Sequence, residues 1–205
     1  MSFLLRDKMP IEKSASVKYL LNCYNLENEA FSLYSYITKR LLRPEIKCML
    51  LTLSQDCTKH TKIIEELLKP LLLSNFEETK YEKNFNEIST EIRDFNANIL
   101  KIPVIDDEMT PQLLNNLIKI EDCLFEFYSN FVDSKLLRLF ADQISTFIET
   151  VPENLSYIIE SLREDNQKHR NMLIETLYIF NKDKSKNKDT TPLVRFKNPD
   201  AWIQA

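Results

Sequence analysis

Glycine is absent from all 205 residues. Average usage of about 7% would place about fourteen in a chain of this length, so the usual residue for positive φ is missing throughout. Two-residue hairpins become unfavourable without it. Phosphate-cradling loops that need bare backbone, the dinucleotide fingerprint and the P-loop among them, are excluded. Basic excess is also lacking, with a net charge of −4 and a pI near 5.4. No broad positive field exists for nucleic acid or an anionic membrane surface. No apolar run reaches the roughly 18 residues of a membrane span, and Phe3-Leu4-Leu5 has no signal-peptide h-region around it. The expectation is an intracellular, cytoplasmic protein with neither nucleic acid nor membrane as partner. The cysteines, Cys23, Cys48, Cys57 and Cys123, show no C-x-x-C spacing and read as reduced thiols.

Apolar periodicity is what the chain has in quantity. Steps of three and four run from Ser14 through Val17, Leu20, Tyr24, Glu27, Ala30, Tyr34 and Ile37 to Leu41. A second segment opens at Pro44-Glu45, carries Met49, Leu50, Leu53, Cys57, His60, Ile64 and Leu67 on one face, and is expected to end before Pro70. A third starts near Pro111 and carries Leu114, Leu117, Ile118, Glu121, Leu124, Phe125, Tyr128 and Phe131; residues 134–150 either continue it or form a separate helix. Pro152-Glu153 opens a fourth, through Ile159, Leu162, Asp165, His169 and Leu173 to about Phe180. The fold class is therefore all-α. Residues 71–110 are too long for a hairpin loop and read as a crossover holding an extra, more polar helix over about 76–100. Residues 182–205 read as a charged linker followed by a docking tail with Leu193, Val194, Phe196 and Trp202.

The halves repeat. Placing Glu121 on Glu27 aligns Leu114 with Leu20, Phe125 with Phe31 and Tyr128 with Tyr34 without a gap. Placing His169 on His60 aligns Asp165 with Asp56, Lys168 with Lys59 and Leu162 with Leu53. Apolar coincidences between periodic helices carry little information; the shared Glu, Tyr, Asp, Lys and His carry most of it. The only two histidines thus occupy equivalent positions in residues 14–70 and 111–180.

The pattern Glu-x-x-Ala-x-x-x-Tyr starting at Glu27, its echo at Glu121, the paired histidine segments and the long crossover resemble the ferritin-like superfamily, most closely its rubrerythrin branch, over about residues 14–180. The resemblance implies a four-helix bundle of two helix pairs around a di-iron cage, built from one Glu on each of two helices and a Glu-x-x-His on each of the other two. By position, Glu27 and Glu121 match the single glutamate ligands and His60 and His169 the histidine ligands. Tyr34 and Tyr128 match tyrosines beside the metal centre. Asp56 and Asp165, four residues before each histidine and about 40° from it around the helix, match residues that orient a ligand histidine by hydrogen bonding.

The chain departs from that pattern at two positions. Cys57 and Asn166 stand three residues before the histidines, where the pattern has carboxylates. Two irons need about four carboxylates to balance charge, and two remain. A thiol beside activated oxygen climbs the oxidation ladder, which argues against vigorous oxygen chemistry. A central carboxylate is expensive to bury unpaired, so Glu27 and Glu121 facing two histidines imply either a metal or a hydrogen-bonded cluster. Two functional readings follow. One is a bundle with a reduced site for iron or another divalent metal and a weak redox or peroxide-related role. The other is a non-catalytic interaction module with a metal-free polar site. Surplus aromatics on an acidic bundle suggest a homodimer or another protein as partner.

Overall fold

A computed structural model describes residues 11–72, 95, 97–145 and 154–189. Those residues are helical apart from turns and one isolated backbone bridge. Among the described residues these helices have defined bounds: α1 (Ile11–Thr38), α2 (Pro44–Leu72), α3 (Thr110–Asp133), α4 (Lys135–Ile144) and α5 (Leu155–Asp189), and residues 95 and 97–99 are helical as well. The short connection of residues 39–43 turns α1 back onto α2, and Ser35 Oγ faces Ser54 Oγ at 3.0 Å while Glu27 faces His60. Positions rise on one helix as they fall on the other, so the pair is antiparallel. By the same test α3 is antiparallel to α5, because Arg170 reaches Asp122 and the Arg163 guanidinium lies 5.6 Å from the Phe125 ring. Tyr19 donates to the Phe127 carbonyl at 3.0 Å and Tyr34 donates to Glu121, which sets α1 antiparallel to α3. Lys59 against Asp165 and Thr176 against Met49 set α2 antiparallel to α5.

These directions leave α2 and α3 parallel. Leu72 and Thr110 therefore stand at opposite ends of the helices that the connection joins. Its far end is anchored at the α1–α2 turn. Ile105 donates its N–H to the Arg40 carbonyl at 2.9 Å, and the Arg43 guanidinium bonds both Asp107 oxygens at 2.8 and 2.6 Å. The Asp106 carboxylate accepts from the N–H groups of Glu108 and Met109, satisfying amides ahead of α3 that no helical carbonyl can reach.

Two helix ends differ from the sequence reading. α2 runs through Pro70 to Leu72. Proline forfeits one hydrogen bond there, but Leu68 and Leu71 are buried, and side chains of that size are each worth about 2 kcal/mol when buried. α5 continues past Phe180 to Asp189, so residues 182–188, read as linker, extend the helix. No proline follows until Pro192, and adding turns to an existing helix avoids the cost of nucleation. Residues after 133 form a separate helix, α4, because the extended Ser134 breaks α3 and its hydroxyl accepts from the Leu136 N–H at 3.2 Å. The expected polar helix of the crossover and the tail with Leu193, Val194, Phe196 and Trp202 fall largely or wholly outside the described residues.

The core is divided. One apolar cluster joins Ala30, Tyr34, Leu50, Leu53, Leu117 and Leu124 near the α1–α2 turn. Another joins Val17, Leu20, Ile64, Phe131, Phe140 and Leu162 at the opposite end, where α4 closes the helices. A layer of polar side chains lies between them.

Candidate functional site

Glu27, His60, Glu121, His169, Cys57 and Asn166 are all buried in that layer. Helical register brings them there: each occupies the inward stripe of α1, α2, α3 or α5, so burying the stripe buries the polar residue within it. The described contacts follow the sequence repeat. Tyr34 on α1 donates to Glu121 Oε1 on α3, while its mate Tyr128 on α3 donates to Glu27 Oε1 on α1 at 3.0 Å. His60 Nδ1 lies 3.0 Å from Glu27 Oε1, and His169 Nδ1 lies 3.4 Å from Glu121 Oε2. His60 Nε2 faces Asp165 Oδ2 at 3.4 Å, and His169 Nε2 bonds Asp56 Oδ2 at 3.0 Å. Each aspartate thus serves the histidine of the other half. The imidazole rings stack with centroids 6.0 Å apart.

Several polar atoms in this layer are poorly satisfied: Glu27 Oε2 and both amide atoms of Asn166 have no hydrogen-bond partner, and Glu121 Oε2 and His169 Nδ1 have only each other at 3.4 Å. Unsatisfied polar atoms are scarce in folded interiors, and a concentration of them calls for a physical reason such as water or an ion. Cys57 and Asn166, at the positions where the resemblance expects carboxylates, are buried in the same layer. Among the described residues, however, no three His, Cys, Asp or Glu side chains stand together as a ready metal-ligand group. The donors come as two Glu–His pairs. Spacings of 3.0 and 3.4 Å within the pairs match the separation of neighbouring ligands on one ion whose bonds are about 2.0–2.2 Å. By donor chemistry two carboxylates and two imidazoles suit one divalent ion and not two, because the bridging carboxylates of a second are missing, while the geometry among the described residues holds them as two separate pairs.

Electrostatics follow from burial and these partners. Burial and the negative charges of Glu27 and Glu121 push the Cys57 thiol well above its ordinary range, so it is a neutral thiol. Burial and the glutamate opposite likewise raise Tyr34 and Tyr128, which remain phenols able to donate. Burial opposes charge on both histidines but is overcome. His60 is raised by Glu27, and His169 is raised to about 9 by Glu121 and Asp56. Asp56 and Asp165 are lowered, the bonds to His169 and Lys59 on one and to Lys59 and Lys168 on the other outweighing desolvation.

The sign of the pH effect follows for the metal-free chain. A folded-state histidine pKa raised from 6.5 to about 9 contributes stability that is complete below 6.5 and is lost as pH rises through 9. Urea unfolding is expected to give a lower midpoint near pH 10 than near pH 6. The difference should shrink in His169→Gln, and an equal slope in parent and variant would assign the effect to other groups.

The lysine before each histidine entered the sequence reading only as a repeat match. Lys59 Nζ bridges Asp56 Oδ1 at 3.1 Å and Asp165 Oδ2 at 2.7 Å. Lys168 bonds Asp165 Oδ1 at 3.1 Å. The Lys-His dipeptide in both halves was the available signal, but which aspartate each lysine meets depends on how the helices are packed. No family model, curated protein or solved structure matches the chain. No described helix is long and apolar enough to cross a membrane.

Proposed function

We propose that the chain is a ferritin-like, rubrerythrin-like four-helix bundle whose central site binds a single divalent metal ion through Glu27, His60, Glu121 and His169. The observation that carries this reading is the orientation of both imidazoles: Nδ1 turned inward to a buried glutamate and Nε2 anchored outward on an aspartate. Metal-ligating histidines are held this way, with the second nitrogen fixed by a carboxylate that sets ring orientation and basicity. The unpartnered Oε2 of Glu27 and the long 3.4 Å approach of Glu121 Oε2 to His169 support it further, because a cation would satisfy both oxygens. Iron or manganese held there would supply one-electron redox chemistry toward peroxide, a role kept weak by the missing carboxylates and by the oxidisable Cys57. The chain's own contribution is to orient the imidazoles through Asp56 and Asp165, to hold the glutamates through Tyr34 and Tyr128, and to keep bulk water out between two apolar clusters.

One observation favours a second reading, a non-catalytic helical interaction module with a metal-free polar core. Each histidine lies between two carboxylates and is raised in pKa, so imidazolium and Lys59 charge can neutralise the carboxylates without metal. Elemental analysis separates the two. Protein expressed with iron, manganese or zinc supplied separately is expected to hold close to one ion per chain with at least one of them, and Glu27→Gln combined with Glu121→Gln to hold none. Metal-free parent protein in all three media would overturn the metal-binding reading and leave the second standing.

A further inference from the structure

We propose that Lys59 is a gate on the path by which a cation reaches the central site. The proposal rests on the metal-binding reading above. The site is closed on most sides. Tyr34 and Tyr128, both fully buried, seal it between α1 and α3, and the apolar clusters seal it toward both ends of the helices. On the remaining side, between α2 and α5, the chain of contacts reaches water: Asp165 is 22% exposed, Asp56 31% and Lys59 49%. These two helices also pack more sparsely against each other than either does against its hairpin partner. A cation approaching the seam meets two aspartates that also hold the ligand histidines, Asp56 through its other oxygen and Asp165 through the same Oδ2 that Lys59 bonds. Lys59 occupies that place, its ammonium bridging both carboxylates.

Repeat symmetry singles Lys59 out from its mate. Lys59 contacts the aspartate three residues before it, as Lys168 does, but only Lys59 also has a described contact with the aspartate of the opposite helix. Its single charge therefore does two things. It repels an incoming cation at the mouth of the path, and it ties α2 to α5 across the seam that must open for the ion to pass. Lys168, 66% exposed and bonded to Asp165 alone, carries the same charge without the tie. Displacing Lys59 would uncover two aspartates as a transient cation-binding step directly outside the histidines.

The test uses the full-length chain and Co2+ as an optical probe, with uptake followed by stopped-flow absorbance and final content by elemental analysis. Lys59→Met is expected to reach the parent's final cobalt content with an uptake rate about tenfold higher, as removal of one repulsive charge on a focused path allows. Lys168→Met should change the rate by about twofold at most, and Lys59→Arg, which keeps the charge, should stay near the parent. Helical circular dichroism identifies any variant that does not fold, and Lys59→Gln, which also removes the charge, then replaces Lys59→Met: a rate about tenfold above the parent supports the gate, and a rate within about twofold of the parent overturns it. Equal uptake rates in Lys59→Met and parent, with full cobalt content in both, would overturn the gate and leave the metal site standing. An equal acceleration in Lys168→Met would reduce the effect to general surface charge and overturn it as well. Failure of the parent to take up cobalt, iron, manganese or zinc would overturn both the gate and the metal-binding reading.

Discussion

Replacing Cys57 and Asn166 together by glutamate is expected to raise the iron content from about one ion per chain to about two, with the near-ultraviolet absorption of an oxo-bridged pair after exposure to air. Both side chains are buried in the layer that holds Glu27 and Glu121, so new carboxylates there would bring the set to four, the number a di-iron centre needs for charge balance. The same change should make the metal-free protein fragile. Four carboxylates would share a site that now has two, and like charges in a dry interior either raise one another's pKa or strain the fold. Stability that falls without metal and returns on adding iron, read as paired urea titrations, is the signature expected of folding coupled to metal binding. An unchanged iron content in the double variant would reject an inherited di-iron cage.

Removing a single glutamate should have the largest effect on the metal-free fold. Glu121→Ala leaves the Tyr34 hydroxyl without its acceptor and the His169 imidazole without its inward partner, both inside the protein. Breaking a buried pair from one side typically costs about 3–5 kcal/mol, because the remaining charge is left uncompensated. Glu27→Ala should cost a similar amount, since Glu27 Oε1 accepts from Tyr128 and faces His60. Tyr34→Phe alone should cost about 1–2 kcal/mol. In the Glu121→Ala background it should cost close to nothing, because the acceptor is already gone. Urea unfolding of the four chains of this cycle checks both statements, and a loss under about 1 kcal/mol for Glu121→Ala would mean that the polar layer contributes little to stability.

Much of this arrangement was written in the chain. The absence of glycine and the steps of three and four determined helices, and the repeat placed Glu27 with Glu121 and His60 with His169 before any packing was considered. Helical register is a local property, set by 3.6 residues per turn, so the face on which a residue lies can be read from spacing alone. What lies across from that face cannot. Asp56 sits on the same helix as His60 yet orients His169, and Asp165 orients His60; that exchange exists only because α2 and α5 run antiparallel with these positions level. The two-sided contact of Lys59 arises in the same way. Helix ends were likewise decided in three dimensions, where burial of Leu71 outweighed a broken hydrogen bond at Pro70 and an established α5 carried the charged residues 182–188 onward. The sequence determined which polar residues enter the core. Tertiary packing alone decided that the donors stand as two Glu–His pairs rather than one closed cage, because inter-helix spacing is set by the apolar side chains above and below them.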